Sequence, residues 1–528
     1  MRTLARVQVL VIGGGAVGAG ILRDLALRGM DALLLEQGDF CSGASGGNQG
    51  MLHSGARYAV KDPVSAKECA KESHILRSIA GPFIDDCGGI FVSLPGDDEG
   101  YPEAFLKGCG KTGVEVESLE IKEALLREPR LSNRIRSAIG VNDASIDPFS
   151  LALGNIESAR IAGAKALNYQ RVVRMKRGKS TVEEVHYQDA FSGEMKRIKP
   201  EIVVNAAGAW SAKVASLVQA QVPLALDKGS MVVVDGRYTH GLINRLRMPS
   251  DGDIIVPSHS TTILGTTSEA PGGVDGARAS VEEVEKLRKE CSAMLPGLES
   301  CRMVRAYARL RPLVDNGERG RDASRSFSII EHSSSGSENM ISLVGGKLTT
   351  YRLMAEKAVD VVSELLGDRA RCRTAKEPLL VSSGAVTVRT IPNRSLERMR
   401  RKYGPRQAEV ARHCQTHRGE ERVCDCEEVL RGEISYFAGH PDVRTLSDIM
   451  RRTRAGMGYC QSSLCAFKIL SAARKENSDE NSRRLLEDFL AERRRGIEPV
   501  LEGEQLRQEI FRSYLLQGTY RLEREAAE

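Results

Sequence analysis

The chain has 528 residues, too many for one hydrophobic core, so we expect two or three domains. Its 76 basic and 70 acidic residues leave a net charge of +6, which does not indicate a nucleic-acid-binding protein. Twelve cysteines are too few for a disulfide scaffold and suit a reducing compartment. With no recognisable export signal and no apolar run of about 18 residues, we expect an unexported protein whose membrane contact is peripheral.

The N-terminal segment predicts a βαβ unit with a dinucleotide-binding loop. VQVLVI is a strand, GGGAVG the loop, AGILRDLALRGM a helix, and DALLLE a second strand that ends at Glu36. In such a loop Gly13 makes the tight turn, Gly15 lets the backbone approach a pyrophosphate, and Gly18 allows close packing of the helix. Glu36 is placed to bind ribose hydroxyls, so the whole unit predicts a dinucleotide cofactor.

Three later segments favour FAD over NAD. CSGASGGNQG is rich in small residues that can pass close to the pyrophosphate and the ring, and EIVVNAAGAWS is a short strand ending in Ala-Gly. NMISLVGGKLTTYRLMAEKAVDVV predicts a strand, a Gly-Gly turn and a helix whose free N–H groups face the flavin. Each segment alone fits an ordinary strand–turn–helix connection, but their order favours a flavoprotein. The residues predicted to contact FAD here are Ser42, Ser45, Ala207, Gly208, Gly346, Leu348 and Thr349.

The segments between the predicted cofactor contacts read as mixed strands and helices that would cover a substrate. We therefore expect an FAD-dependent oxidoreductase domain over 1–370, followed by a polar, basic linker with some helix over 371–415. A cysteine-containing domain over 416–475 and a helical tail over 476–528 complete the chain, the tail being either a solvated cap or a partner-docking element. Within the first domain, the FAD part is predicted at about 1–58, 146–224 and 331–370, and the substrate part at about 59–145 and 225–330.

Four cysteines near the C-terminus form the pattern of a metal site. Cys424 and Cys426 make a C-x-C pair, and Cys460 and Cys465 a C-x4-C pair after 33 intervening residues. Zinc ribbons usually space each pair as C-x2-C, so this pattern favours a 2Fe-2S cluster over structural zinc.

Several stretches carry a resemblance to a known family. They are the GGGAVG loop, LHSGARYAV at 52–60, DKGSMVVV at 227–234, LGTTS at 264–268, RLRPLV at 309–314 and GGKLTTYR at 345–352. With the C-terminal cysteines, they resemble the FAD-dependent glycerol-3-phosphate dehydrogenases of the anaerobic type, whose large catalytic subunit carries a bacterioferritin-associated-ferredoxin-like 2Fe-2S domain. The resemblance implies an α/β fold: a Rossmann-like FAD-binding domain of the D-amino-acid-oxidase type with an inserted mixed-sheet substrate domain. A small, mostly helical iron–sulfur domain and a helical tail follow it.

The resemblance also implies a site that oxidises sn-glycerol 3-phosphate to dihydroxyacetone phosphate by hydride transfer to FAD. Arg57, Arg311 and Arg325 lie on matching motifs, and arginine is suited to binding a phosphate dianion. Lys347, at the Gly-Gly turn, would place a charge near the reduced ring or the substrate oxygen.

Two further residues of the LHSGARY motif are predicted to act on the substrate. Tyr58 would hydrogen-bond it, and His53 would either accept the proton of the C2 hydroxyl or serve as a structural histidine. The aerobic branch of the family has a histidine where this chain has Met231. That departure fits the anaerobic branch and strengthens the case for His53.

In the resembling enzyme, additional subunits attach the catalytic chain to the membrane and carry electrons to quinone. The resemblance therefore implies a cytoplasmic protein held peripherally at the inner face of the membrane. One alternative is an FAD-dependent oxidase or dehydrogenase of another hydroxy acid or an amine in the same superfamily. Another is a non-catalytic iron–sulfur or redox-sensing subunit.

Overall fold

The computed structural model describes residues 5–318, 320–379, 388, 390–416, 418–474 and 479–522. In these residues the α-helices are α1 (Ala16–Leu27), α2 (Pro63–Ala80), α3 (Tyr101–Thr112), α4 (Ile121–Arg127), α5 (Pro148–Ile161), α6 (Ser211–Ser216), α7 (Val281–Met294), α8 (Tyr351–Leu366), α9 (Asn393–Tyr403), α10 (Gln407–Cys414), α11 (Arg431–Ala438), α12 (Leu446–Thr453), α13 (Ala466–Ala473), α14 (Asp479–Ile497) and α15 (Gly503–Tyr514).

The strands of the same residues form two large sheets and two small ones. They are β1 (Ala5–Ile12), β2 (Ala32–Leu35), β3 (Met51–Leu52), β4 (Ile84–Asp85), β5 (Gly89–Ser93), β6 (Val116–Leu119), β7 (Ser137–Val141), β8 (Ala144–Ile146), β9 (Lys165–Leu167), β10 (Gln170–Arg177), β11 (Val182–Asp189), β12 (Met195–Asn205), β13 (Leu224–Val234), β14 (Leu242–Arg245), β15 (Ile254–Ser258), β16 (Thr261–Gly265), β17 (Met303–Val314), β18 (Phe327–His332), β19 (Ser337–Gly345), β20 (Arg422–Cys424) and β21 (Val429–Leu430).

The first large sheet has a parallel centre in the order β19-β12-β1-β2-β9. Its central strand β1 is apolar on both faces because both are covered: α1, α5 and α8 pack on one, and α6 with the β10–β11 hairpin on the other. In a parallel sheet all carboxyl ends lie at one edge. The loops after β1, β2, β12 and β19, which carry most of the predicted cofactor residues, therefore meet there.

The second large sheet has the order β17-β13-β16-β15-β14-β5-β7-β6. Strand β17 has one face in a hydrophobic core and a polar face on the opposite side. Met303, Ala306 and Ala308 pack in the core that contains α7, whereas Arg305 and Arg309 alternate with them and stay partly accessible. The polar face of β17 is thereby turned toward the parallel sheet.

The C-terminal part is mostly helical, as predicted. Helices α11 to α14 and the β20–β21 pair enclose one core, in which α14 buries Leu486, Phe489 and Leu490. The predicted linker is not a simple connector, because its helices α9 and α10 share a second core with Leu430 and Phe437. Helix α14, in the first half of the predicted tail, belongs to the first of these two cores. The predicted domain limits themselves stay a prediction.

Charged contacts attach the C-terminal part to the parallel sheet. Asp39 binds Arg452 and Arg451 at 2.8 and 2.7 Å, and Arg160 binds Asp442 at 2.7 Å. No helix among the described residues is long and apolar enough to cross a membrane.

Candidate active site and cysteine site

A cavity of about 610 Å³ lies between the carboxyl edge of the parallel sheet and the polar face of the second sheet. Neither sheet forms it alone, so it is a feature of their packing. The predicted residues that line it are Gly13, Gly15, Glu36, Ser42, Ser45, His53, Arg57, Tyr58, Ala207, Gly208, Arg311, Arg325, Gly346, Lys347 and Leu348.

The glycine loop has the geometry that a dinucleotide requires. Gly13 has φ +112°, and a Cβ there would lie 2.5 Å from the carbonyl oxygen of Ala206. A Cβ on Gly18 would lie 1.9 Å from the carbonyl oxygen of Gly13, so Gly18 serves helix packing and does not line the cavity. At Gly15 the nearest neighbour of an added Cβ would be the Ser45 hydroxyl at 2.9 Å, which leaves the backbone open toward the cavity.

Glu36 and Ser45 complete the nucleotide end. The Glu36 carboxylate accepts hydrogen bonds from the N–H groups of Gly14 at 2.6 Å and Gly38 at 2.8 Å, and burial raises its pKa. Ser45 Oγ accepts from the N–H of Ala16, in the first turn of α1, at 2.9 Å. Free lone pairs on Glu36 can accept from ribose hydroxyls, so these residues fit an FAD molecule.

The other end of the cavity is strongly basic. Arg57 Nη2 contacts Asp253 at 3.0 Å, while its Nη1 is buried without a hydrogen-bond partner in the described residues. Arg311 pairs with Asp227 and donates to the carbonyl of Thr267 at 2.9 Å; burial and the nearby Arg325 lower its pKa. A buried, unsatisfied guanidinium nitrogen is costly unless a ligand accepts from it, and a phosphate oxygen is a suitable acceptor.

Arg321 is a fourth arginine of this end, and the sequence analysis missed it. It lines the cavity, pairs with Asp251, and donates to the Thr266 carbonyl. Burial and the charge of Arg57 lower its pKa. Its immediate neighbours, in GERGRD, match none of the quoted motifs, so nothing in the sequence distinguished it from a solvated arginine.

Lys347 and Tyr58 lie together beside the arginines. Glycines at 345 and 346, with φ +87° and +77°, turn the chain after β19 and place Lys347 in the cavity. Its Nζ donates to the Ser65 hydroxyl at 2.9 Å and the Arg325 carbonyl at 2.8 Å, and lies 5.0 Å from the centre of the Tyr58 ring. Burial lowers the pKa of Lys347 and raises that of Tyr58 to about 12.

His53 is buried with its Nδ1 unpaired in the described residues. Burial, together with Arg57 and Lys347, lowers its pKa to about 3, so the imidazole is neutral. Thr349 accepts from the backbone N–H of His53 at 3.0 Å and does not line the cavity, which places it behind His53. Met231 is buried against Val233 and Ile263 and does not line the cavity either.

The four predicted cysteine ligands come together in the C-terminal part. The sulfur of Cys465 lies within hydrogen-bonding reach of those of Cys424 and Cys460, and the sulfur of Cys426 within reach of that of Cys460. The contact from Cys465 lowers the pKa of Cys460. Cys424 also accepts from the backbone N–H of Gly456 at 3.4 Å. Although no group among the described residues is arranged for a single metal ion, four adjoining sulfurs are the donor set of a 2Fe-2S cluster.

Comparisons with known proteins agree with this geometry. The family described as FAD dependent oxidoreductase matches residues 8–352, and the BFD-like [2Fe-2S] binding domain matches residues 422–471. One subunit of the anaerobic glycerol-3-phosphate dehydrogenase of Escherichia coli K12 is 37% identical over 98% of this chain and 97% of its own length. The protein of the same name from Haemophilus influenzae is 38% identical over 96% of this chain and 92% of its own length. The chain belongs to this family of FAD-dependent dehydrogenases.

The fold of the family is represented among solved structures. The glycerol-3-phosphate dehydrogenase of Bacillus halodurans, solved with FAD, superposes with a TM-score of 0.73 at 23% identity, covering 94% of this chain and 96% of that one. The predicted fold class, the FAD cofactor and the 2Fe-2S domain are confirmed. The roles assigned to individual site residues stay predictions.

Proposed function

We propose that this chain oxidises sn-glycerol 3-phosphate to dihydroxyacetone phosphate and passes the electrons through the cysteine site to partner subunits and quinone. The observation that carries the proposal is the cluster of buried arginines at one end of the FAD cavity. Arg57 holds an unsatisfied nitrogen there, and Arg311, Arg321 and Arg325 line the same end. Such a cluster selects a dianionic substrate over a neutral polyol.

The phosphate end of the substrate would be bound by these arginines, with Tyr58 and Lys347 beside it. Bound FAD accepts a hydride, and a 2Fe-2S cluster conducts single electrons. The work of the protein is then to fix C2 against the flavin and to remove the proton of its hydroxyl. Binding of the remote phosphate group thereby contributes to the rate as well as to affinity.

His53 is our candidate for the proton acceptor. Its imidazole is neutral, but the surrounding arginines and Lys347 oppose a positive charge on it. A phosphate dianion bound among those cations would offset them and raise the pKa of His53. The base would therefore become stronger when the correct substrate is bound, which ties proton removal to phosphate recognition.

The exposed apolar surface of α15 supports the proposal that partner proteins bind this chain. Leu506, Ile510, Phe511 and Tyr514 are between 41% and 72% exposed, which is unusual for residues of this size on one helix. The relatives are named as single subunits of their enzymes, which implies further subunits for them. We propose that α15 contributes to docking such partners, and that they hold the chain at the inner face of the cytoplasmic membrane.

The test is anaerobic reduction of the bound flavin, followed by its absorbance. Glycerol 3-phosphate should bleach it, whereas glycerol and simple amino acids should not. Arg311→Ala should lower kcat/KM. The loss should correspond to an increase of about 2–5 kcal/mol in the activation free energy, because a charge-assisted pair is lost. Arg302→Ala is the matched control, because Arg302 is exposed and outside the cavity. An unchanged kcat/KM in Arg311→Ala would remove that residue from the site, and bleaching by an amino acid alone would point to another substrate class.

A further inference from the structure

A second cavity, of about 690 Å³, lies between the FAD-binding part and the cysteine-containing part. One wall is the loop after β2, including Gly47 and Asn48, and another is the polar face of β17, with Arg305, Tyr307 and Arg309. The third wall comes from the C-terminal part. It includes Met457 and Gln461, the latter directly after Cys460, so the cavity lies between the two predicted redox sites.

Several of the charges around this cavity are already neutralised. Arg451 pairs with Asp39 at 2.7 Å, Arg454 with Glu427 at 2.8 Å, and Lys402 with Asp147 at 2.5 Å. These pairs need no further partner, and they account for much of the basic character of the walls.

Three other arginines are not neutralised within the described residues. Arg305 approaches Glu492 only to 3.9 Å, and its Nη1 is buried without a hydrogen-bond partner. Arg309 donates to the carbonyl of Ala308 at 2.9 Å and has no carboxylate partner there. Arg493 donates to the side-chain and backbone oxygens of Gln461 and to Met450 Sδ. Three guanidinium groups thus share one carboxylate, Glu492.

This excess charge is buried and costly. Burial lowers the pKa values of all three arginines, and the charge of Arg305 lowers that of Arg493 further. A guanidinium does not release its proton in a protein, so the cost is met by recruiting an anion. Glu492 offsets part of this charge, and the sulfurs of Cys460 and Cys465 also attract Arg493. The charge left for an anion such as a phosphomonoester is therefore concentrated on Arg305 and Arg309.

We propose that this cavity is a second anion site, which takes the phosphate group of a small organic phosphomonoester between Arg305, Arg309 and Arg493. The organic part would lie against apolar side chains of the same cavity, among them Phe83, Phe149, Met450 and Met457. The site is distinct from the proposed substrate site. Arg311 is on the same strand, but it lines the other cavity. A ligand here would contact the flavin loop and the cysteine loop together and stabilise their packing.

The test is equilibrium dialysis of the full, FAD-loaded chain against radiolabelled inorganic phosphate and against phenyl phosphate. Arg309→Gln should bind one equivalent fewer than the parent or the control Arg302→Gln, or bind it at least tenfold more weakly. Tighter binding of phenyl phosphate than of inorganic phosphate would support an organic ligand, and the reverse order would overturn that part. Equal binding by Arg309→Gln and the parent would overturn the site.

Thermal melting distinguishes a loss of phosphate binding from a folding defect in the variant. In phosphate-free buffer Arg309→Gln should melt no lower than the parent, because it removes a charge that repels its neighbours. Added phosphate should raise the melting temperature of the parent more than that of the variant. A variant that melts lower, with the same response to phosphate as the parent, would show that Arg309 is only structural.

A phosphorus assay tests whether the purified chain retains a ligand. The total phosphorus released by denaturing the parent should exceed the two atoms of its FAD, and it should fall in the double variant Arg305→Gln/Arg309→Gln. The same phosphorus in both proteins would count against the site.

Discussion

At the scale of single residues, the buried imidazole of His53 makes stability depend on pH. Its folded-state pKa is about 3, whereas an exposed histidine has a pKa of about 6.5. Between these pH values the unfolded chain binds one more proton than the folded chain. Stability is therefore full above about pH 6.5 and is lost as the pH falls toward 3, by about 1.4 kcal/mol per pH unit.

We predict that His53→Gln removes this part of the acid sensitivity. Calorimetry of the FAD-loaded chain between pH 4 and 7 should show a smaller fall of the melting temperature on acidification than in the parent. His259, whose pKa is lowered to about 4 by burial and by Arg454, should leave a residual slope. His74→Gln, on the exposed side of α2, is the control and should follow the parent. Parallel curves for His53→Gln and the parent would contradict a neutral, buried His53.

At the scale of elements, the turn from β1 into α1 contains glycines with two different roles, cofactor access at Gly15 and backbone packing at Gly18. Gly15→Val should lower FAD occupancy with little loss of apoprotein stability, because its side chain would meet only the end of Ser45 before entering the pyrophosphate position. Gly18→Val should lower both, since its Cβ would collide with the Gly13 carbonyl. Flavin absorbance per chain and apoprotein melting temperature distinguish the two. Gly110→Ala, which meets nothing within 4 Å on α3, should keep full flavin; full flavin in Gly15→Val would show that the loop is misplaced.

The cysteine loops of the C-terminal part allow a second prediction at this scale. Cys460→Ser removes a sulfur in contact with two other predicted ligands, so iron and acid-labile sulfide should fall from about two per chain. Flavin reduction by glycerol 3-phosphate should persist, while transfer to quinone through partner subunits should slow. Cys414→Ser is the matched control, being buried in the same part but outside the ligand set. Full quinone-linked turnover without iron would mean that the electrons leave the flavin by another route.

At the scale of the whole molecule, the attachment of the C-terminal part rests on Asp39. Burial raises the pKa of this carboxyl, but Arg452 and Arg451 outweigh that effect and hold it below its usual range. Its contribution to stability is therefore present above about pH 4 and is lost as the pH falls below that value. Asp39→Asn would leave the buried Arg452 without its carboxylate partner and Arg451 paired with Asp448 alone, at a cost of about 3–5 kcal/mol.

We predict that Asp39→Asn separates the unfolding of the C-terminal part from that of the rest. Calorimetry should resolve a new transition at lower temperature, whereas Asp31→Asn, an exposed change before β2, should leave the profile unchanged. A single transition at the temperature of the parent would show that the remaining contacts, among them Arg160–Asp442, hold the parts together without Asp39.

The sequence by itself determined those features that depend on neighbours along the chain. Gly13, Gly15, Gly18 and Glu36 are set by one βαβ unit, so their spacing predicted that unit and a dinucleotide cofactor. The C-x-C and C-x4-C pairs predicted the cluster in the same way, because each short pair restricts where its sulfurs can lie. The resemblance supplied the substrate, which spacing alone did not.

Only the tertiary structure decided what depends on elements distant in sequence. Arg321 lies in the site because its loop folds onto Asp251, and the predicted linker helices belong to a core because Leu430 and Phe437 lie opposite them. The state of His53 and the unbalanced charge of Arg305, Arg309 and Arg493 were equally invisible in the sequence. Burial and electrostatic fields are sums over all neighbours in space, and two arginines with the same sequence surroundings differ once one is desolvated and the other is not.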